Sequence, residues 1–311
     1  MSTSPDTVVS PETGITVIDL EFLGTPGVIS AFLLDAGDTS ILIETGPTTS
    51  VPALERGLKR AGRSFEDIGH IIVTHIHLDH SGAAGVILRE YPQIQVHVHP
   101  AGTPHLIDPE RLVRSAARIY GDDMDRLWGE IVGMPEERVS TLDDDATITL
   151  GNRSLRIAYT SGHASHHVVI LDEMTGTLFT GDVGGVRVPG TSYVAVPIPP
   201  PEVDPPAWNI SVERMRSLKP ARIAPTHFGV HDDVDAHFAQ ILPRLAELVA
   251  IGENAGDDLT DTEEMTRRIT AYQRESLGSE ASPEVLGQLN LANPDLLGAL
   301  GLQRYLRKRP T

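Results

Sequence analysis

The run Thr74-His75-Ile76-His77-Leu78-Asp79-His80-Ser81 places four metal-ligating groups within six residues. Imidazole and carboxylate donors suit zinc, iron or manganese. His75 and His77 flank Ile76, so an extended chain points both rings the same way. Asp79 and His80 are expected on the turn before the next helix. One compact turn cannot bring all four onto one small ion, but it can divide them between two. Single ligand-capable side chains recur downstream in Ser161-Gly162-His163, Phe179-Thr180-Gly181-Asp182 and Pro225-Thr226-His227. Each follows a strand-like run, where α/β sheets gather side chains into a site. The chain has no cysteine. Disulfides, thiolate metal sites and a cysteine nucleophile are therefore excluded. It also has no G-x-S-x-G nucleophile elbow.

The elements that must carry these residues follow from the apolar pattern. Strands are expected at Ile15–Leu20, Val28–Leu34, Ser40–Glu44, His70–Thr74 and Ile94–Val98, with helices at Val51–Ala61 and Ser81–Glu90. Residues 104–138 read as helical and carry Tyr120 and Trp128. Strands return at Ala146–Leu150, Ser154–Tyr159, His167–Leu171 and Thr177–Thr180, with a last short one at Arg222–Pro225. Residues 184–206, rich in glycine and proline, read as one long loop, either a lid or a surface crossover. From Val234 the pattern is helical to the end, with an acidic, base-free stretch between Glu253 and Glu264 expected as a solvated linker. Strands with interleaved helices, twice in succession, give an α/β fold.

The chain has 311 residues, 40% of them hydrophobic, enough for a sizeable core. Its formal charge of −18 repels nucleic acid and anionic membrane. The cluster Arg304, Arg307, Lys308 and Arg309 reads as a solvated helix end. No run of eighteen apolar residues would span a membrane. The first residues lack the basic and apolar regions of a secretory signal, so a cytoplasmic location is the default expectation.

The order H-x-H-x-D-H, G-H, G-D and a final H resembles the metallo-β-lactamase superfamily of metal-dependent hydrolases. The layout looks most like its glyoxalase II-type branch. The resemblance spans residues 15–240 and implies an αββα four-layer sandwich. This catalytic domain would carry a helical insertion at about 104–138, followed by a helical C-terminal extension over 241–311. Carried over residue by residue, His75, His77 and His163 would bind one divalent ion and Asp79, His80 and His227 a second. Asp182 would bridge the two. Zinc is the first expectation, with iron or manganese as alternatives. Two positions depart from the family pattern: Ser161 stands where a proline is common, and Glu44-Thr45-Gly46 replaces Asp-Thr-Gly.

The implied chemistry is attack by a bridging hydroxide, since bound water can reach a pKa near ~7. Asp79 would orient it or pass a proton to the leaving group. In the family a bridging aspartate accompanies thioester, lactone, phosphoester and oxygen-reducing members, the last usually with Glu where His77 stands and a fused flavin domain, whereas true zinc β-lactamases lack it. The expected substrate is therefore a small thioester, lactone or related ester. The alternatives are a mononuclear-iron, persulfide dioxygenase-like oxidoreductase and a phosphodiesterase. Asn293-Pro294 lacks the basic residue expected after it for glutathione binding, so glutathione is not assigned. Tyr193, on the proline-rich segment, and His166, after the His163 loop, are candidate substrate contacts. His167 is placed near the site or in support of it. His97 and His99 are expected on one half-exposed strand face, and His70, His105, His231 and His237 in structural or surface roles. Residues 104–138 suit a cap with an apolar inner wall, or alternatively core. The C-terminal helices would complete that cap or form a homodimer contact.

Overall fold

Alternation of apolar side chains builds two faces on each of two sheets, and those faces set the layers. The computed structural model describes residues 8–10 and 13–309. The first sheet runs, in spatial order, β1 (Val8–Ser10), β2 (Ile15–Asp19), β3 (Ser30–Asp35), β4 (Ser40–Ile43), β5 (Ile68–Ile72), β6 (Gln95–Val98) and β7 (Val139–Thr141). The strands β1 to β4 pair antiparallel and β4 to β7 parallel. The second sheet comprises β8 (Thr147–Leu150), β9 (Arg153–Tyr159), β10 (Val168–Asp172), β11 (Thr177–Phe179) and β12 (Arg222–Ala224), antiparallel except β11 with β12.

Phe32, Leu34, Ile41, Ile43 and Ile72 of the first sheet meet Leu155, Ile157, Ile170 and Phe179 of the second in one buried layer. The Phe32 and Phe179 rings lie 5.1 Å apart across it. The alternate residues Ala31, Leu33, Leu42 and Ile71 face outward onto α1 (Val51–Arg60) and α3 (Ala84–Glu90). Val169, Leu171, Leu178 and Ile223 face outward onto α7 (Pro205–Ser217) and α8 (Val234–Glu253). Period-two alternation thus gives helix, sheet, sheet, helix: an αββα sandwich.

The remaining helices close one edge. Residues 104–138 resolve into α4 (Thr103–Ile107), α5 (Glu110–Tyr120) and α6 (Met124–Leu127), followed by irregular chain and a 3-10 turn at Glu136–Arg138. The segment from 184 holds only an isolated bridge, Val186 with Ala195, until α7 begins at Pro205. It is well packed, with Val186, Val188, Val194, Val196 and Ile198 buried. The stretch after Glu253 contains a 3-10 helix, Gly256–Thr260. Then come α9 (Thr262–Leu277), α10 (Pro283–Ala292) and α11 (Asp295–Lys308). Met265, Ile269, Ala299 and Leu302 from α9 and α11 share one buried cluster with Trp208 and Phe238. The helix α8 runs unbroken through residue 240. Among the described residues no helix is long and apolar enough to cross a membrane.

Candidate metal centre

The parallel strand β5 ends at Ile72, and the chain continues through buried Val73 and Thr74 to His75. His77 then caps a one-turn helix, α2 (Leu78–Ser81), which carries Asp79 and His80. These two lie on helix rather than on a turn before it. The His80 N–H and Ser81 N–H both donate to the His77 carbonyl. The turn is tied to the end of β4, because Thr45 donates from its N–H and Oγ1 to the His80 carbonyl.

Two groups of donors converge there. The first is His75, His77, His163 and Asp182; the second is Asp79, His80 and His227, and within each group the ligand atoms lie within 4.8 Å of one another. His77 Nδ1 lies 2.9 Å from both His75 Nε2 and His163 Nε2. Asp182 stands between the groups. Its Oδ2 is 3.3 Å from His163 Nε2, while its Oδ1 is 3.2 Å from His80 Nε2 and 3.5 Å from His227 Nε2. Asp79 Oδ2 reaches His227 Nε2 at 3.5 Å.

The outer ring nitrogens settle which inner ones are free. Glu44 is fully buried. Thr74 Oγ1 gives its proton to Glu44 Oε1 at 2.5 Å, so it must accept from His75 Nδ1–H at 3.1 Å. That leaves the His75 Nε2 lone pair facing the cluster. His163 Nδ1–H donates to the Pro197 carbonyl at 2.9 Å, His227 Nδ1–H to the Val28 carbonyl at 2.7 Å, and His80 Nδ1–H to Glu44 Oε1 at 3.1 Å. Such partners fix ring orientation and raise ligand basicity. Inside the cluster, His80 Nε2, His227 Nε2 and Asp182 Oδ1 are buried without a hydrogen-bond partner. Buried polar atoms are ordinarily satisfied, and a divalent cation fits this nitrogen–oxygen set.

The electrostatics agree. Burial, reinforced by the neighbouring imidazoles, pushes His75 and His77 well below the usual histidine range. Burial would raise Asp79, but His80 and His227 outweigh it and hold its carboxyl at about 2. Asp182 is likewise held well below the carboxylate range, burial being outweighed by His80, His163 and His227. Neutral imidazole and ionised carboxylate are the states a metal needs. Burial disfavours charge on His80 and His227, yet the facing carboxylates raise both. A cation held by their Nε2 atoms would take the place of those protons.

His167 supports the centre from behind. Its Nε2 accepts from the Asp182 N–H at 3.1 Å, and its Nδ1 lies 2.9 Å from Thr160 Oγ1. His166 stacks over His75 with centroids 6.1 Å apart and lines the cavity above the cluster. Tyr193 is not in the cavity wall: its ring is buried beneath the Arg244 guanidinium, 4.0 Å from the centroid. The segment turns away after Asp182 and returns to the cavity only at Pro197, which corrects the expectation of a Tyr193 contact. His97 and His99 are also more enclosed than a half-exposed face, each at 8% exposure. His70 Nδ1 meets His97 Nε2 at 3.1 Å, and the Tyr159 ring covers His99 at 4.1 Å. Unlike the surface or structural role expected of it, His105 lines the cavity.

The turn carrying His163 depends on Gly162. Its φ is +131°, and a Cβ there would lie 2.7 Å from both Cα and Cβ of buried Trp208. Gly162→Ala is expected to cost about 1–3 kcal/mol through backbone strain and to weaken metal binding by displacing His163. Thermal unfolding with metal analysis checks this; an unchanged Tm and full metal content would contradict it.

The family model of the metallo-beta-lactamase superfamily matches residues 24–227. The chain belongs to that superfamily and is a metal-dependent hydrolase. It is similar to the metallo-beta-lactamase fold-containing protein ST1585 of Sulfurisphaera tokodaii, 27% identical over 261 residues, 81% of this chain and 94% of that one. The solved structure of ST1585 superposes with a TM-score of 0.60 over 75% of this chain and 86% of that chain, at 24% identity. TTHA1429 of Thermus thermophilus shares the fold over 95% of this chain and 93% of its own, at TM-score 0.64 and 20% identity. An atrochrysone carboxyl ACP thioesterase of Aspergillus fumigatus is 25% identical over 205 residues, 66% of this chain but 38% of that protein.

Proposed function

We propose that this hydrolase holds two divalent ions, zinc first among them, and cleaves a thioester, lactone or related ester. The observation that carries the reading is Asp182, whose two carboxylate oxygens face different donor groups at 3.2–3.5 Å. His75, His77 and His163 would hold one ion, Asp79, His80 and His227 the other, and Asp182 both. Bound there, the ions would supply Lewis-acid polarisation of a carbonyl and a water of lowered pKa.

The chain's own residues do the rest. In hydrolysis, water adds to the carbonyl carbon, the carbon–sulfur or carbon–oxygen bond breaks, and a proton from water ends on the leaving group. Asp79 is suited to carry that proton. It lines the cavity, and at 23% side-chain exposure it is more open than Asp182 at 6%. Two fungal relatives named as thioesterases, pkgB of Emericella nidulans and the carrier-protein thioesterase above, support a thioester substrate.

The test is metal quantification with a panel of thioesters, lactones, aryl esters and phosphodiesters. About two ions per chain with turnover of an acyl substrate are expected. A plateau at one ion, with no thioester, lactone or aryl ester turned over, would overturn the proposal.

A further inference from the structure

A cavity of about 540 Å³ opens above the metal centre, floored by His77, Asp79, His163 and Asp182. Its walls come from four distant parts of the chain: Phe22, the helices α5 and α6, the segment Pro197–Glu202, and residues 290–297 at the α10–α11 junction. Leu112, Ile119, Leu127, Leu291 and Leu297 supply aliphatic surface. Trp128, buried to 6% exposure, stacks on Phe22 at 5.8 Å and meets Tyr120 edge-on at 5.0 Å. The volume lies in the range that encloses a drug-sized ligand, roughly 300–1,000 Å³. It greatly exceeds what a short acyl group would fill. Arg111 is the one Lys or Arg side chain among the described lining residues, and it is exposed. The acidic residues on the wall are Asp79, Asp182 and Glu202. Ions at the floor would neutralise Asp79 and Asp182, but beyond the floor a carboxylate on the acyl group would meet Glu202 and no buried Lys or Arg side chain among the described lining residues, which is costly.

We propose that this chamber selects a bulky, uncharged, apolar acyl group, seated between the Phe22–Trp128–Tyr120 wall and the α10–α11 junction. The inference rests on the ester-hydrolase reading and names the substrate class for it. Each buried methylene is then worth about a fourfold gain in kcat/KM, until the chain reaches the far wall.

The experiment uses the full chain. The zinc-loaded enzyme is assayed on p-nitrophenyl esters from acetate to decanoate. The metal-free protein is titrated calorimetrically with 2-alkanones of matching length. Expected are a steep rise in kcat/KM through octanoate, tighter ketone binding with length, and at least about a tenfold penalty for an octanoate-length ester ending in a carboxylate. Ala116→Phe, which narrows the chamber, should lower the octanoate-to-acetate ratio at least about tenfold. Ser115→Phe, on the same wall but exposed, serves if the first variant fails to fold. Hydrolysis with a flat length profile, or preference for the carboxylate-ended ester, overturns the proposal and leaves the hydrolase reading standing. Length-dependent ketone binding with no ester cleaved supports the chamber and overturns the ester reading.

Discussion

Asp182→Ala is expected to lower metal content at both positions and to reduce kcat/KM at least about a thousandfold. Removing one donor to a developing oxyanion already costs about 10²–10³, and this change would weaken both proposed ions together. The reason is geometric: among the described residues, no other side chain has one oxygen near His163 and the other near His80 and His227. His227→Ala should instead deplete only the ion it would share with Asp79 and His80. Asp182→Asn separates charge from shape. It keeps the volume but leaves an amide where a carboxylate faces three imidazoles, so it too should lose most metal. Elemental analysis beside steady-state kinetics reads all three variants. His97→Ala, whose ring pairs with His70 away from the cluster, is the control and should retain activity. Full metal occupancy and wild-type rates in Asp182→Ala would remove the basis for a two-ion centre.

The convergence of the seven side chains is legible in the sequence because the signals are local. Four fall in one hexapeptide, and each of the others follows a strand by a few residues. The chain cannot place a strand-end residue far from the ends of its hydrogen-bonded neighbours, so a list of strand tips is already a rough list of site residues. The layers are not legible in this way: Phe32-Leu33-Leu34 and Val168-Val169-Ile170-Leu171 are unbroken apolar runs, buried on both faces, so they announce strands without showing which residue faces which layer. What lies behind the ligands is only partly legible. Glu44 announces itself by its place after β4, but not that it serves Thr74, His80 and Thr226 together.

The cavity wall is the least legible part. Phe22, Leu112 and Leu297 are ordinary apolar residues in sequence, and only the packing of three remote segments makes them neighbours. Tyr193 misleads because nearness in sequence to Asp182 is not nearness in space; the chain turns back so that Val186 pairs with Ala195, and the Tyr193 ring is buried beneath Arg244. The helix α7 is hidden by the proline run. Pro205 and Pro206 are its first two residues, where a missing N–H costs nothing, and Asp204 Oδ1 accepts from the Ala207 N–H at 3.1 Å. Strand β7 escapes the apolar pattern because three residues carry too little periodicity to read.

Glu44→Ala is expected to be the most damaging change that removes no proposed metal ligand. Its carboxylate accepts from Thr74 Oγ1 at 2.5 Å, the Thr74 N–H at 3.4 Å, His80 Nδ1 at 3.1 Å and Thr226 Oγ1 at 3.2 Å, with no exposure to solvent. These donors come from β5's exit, the α2 turn and the chain before His227, so one side chain holds three of the ligand-bearing segments in register. Alanine would leave two buried hydroxyls and a ring N–H without partners. Breaking a buried charge network in this way costs about 3–5 kcal/mol, and loss of a group behind the ligands typically weakens metal affinity about 10–100-fold. Glu44→Gln keeps the shape and one carbonyl oxygen but turns an N–H₂ toward donors, so it should recover stability only in part. Glu44→Asp tests reach. Residue 44 sits at φ +65°, with the side chain spanning from the end of β4 to His80. Thr74 Oγ1, His80 Nδ1 and Thr226 Oγ1 all bond Oε1, so a carboxylate one methylene shorter should draw back from the three together and weaken all of these bonds. Chemical denaturation and competitive chelator titration measure the two effects separately. A Glu44→Ala protein with wild-type chelator resistance would show that His80 needs no carboxylate behind it. A Glu44→Asp protein equal to wild type would show that the extra methylene carries no positioning role.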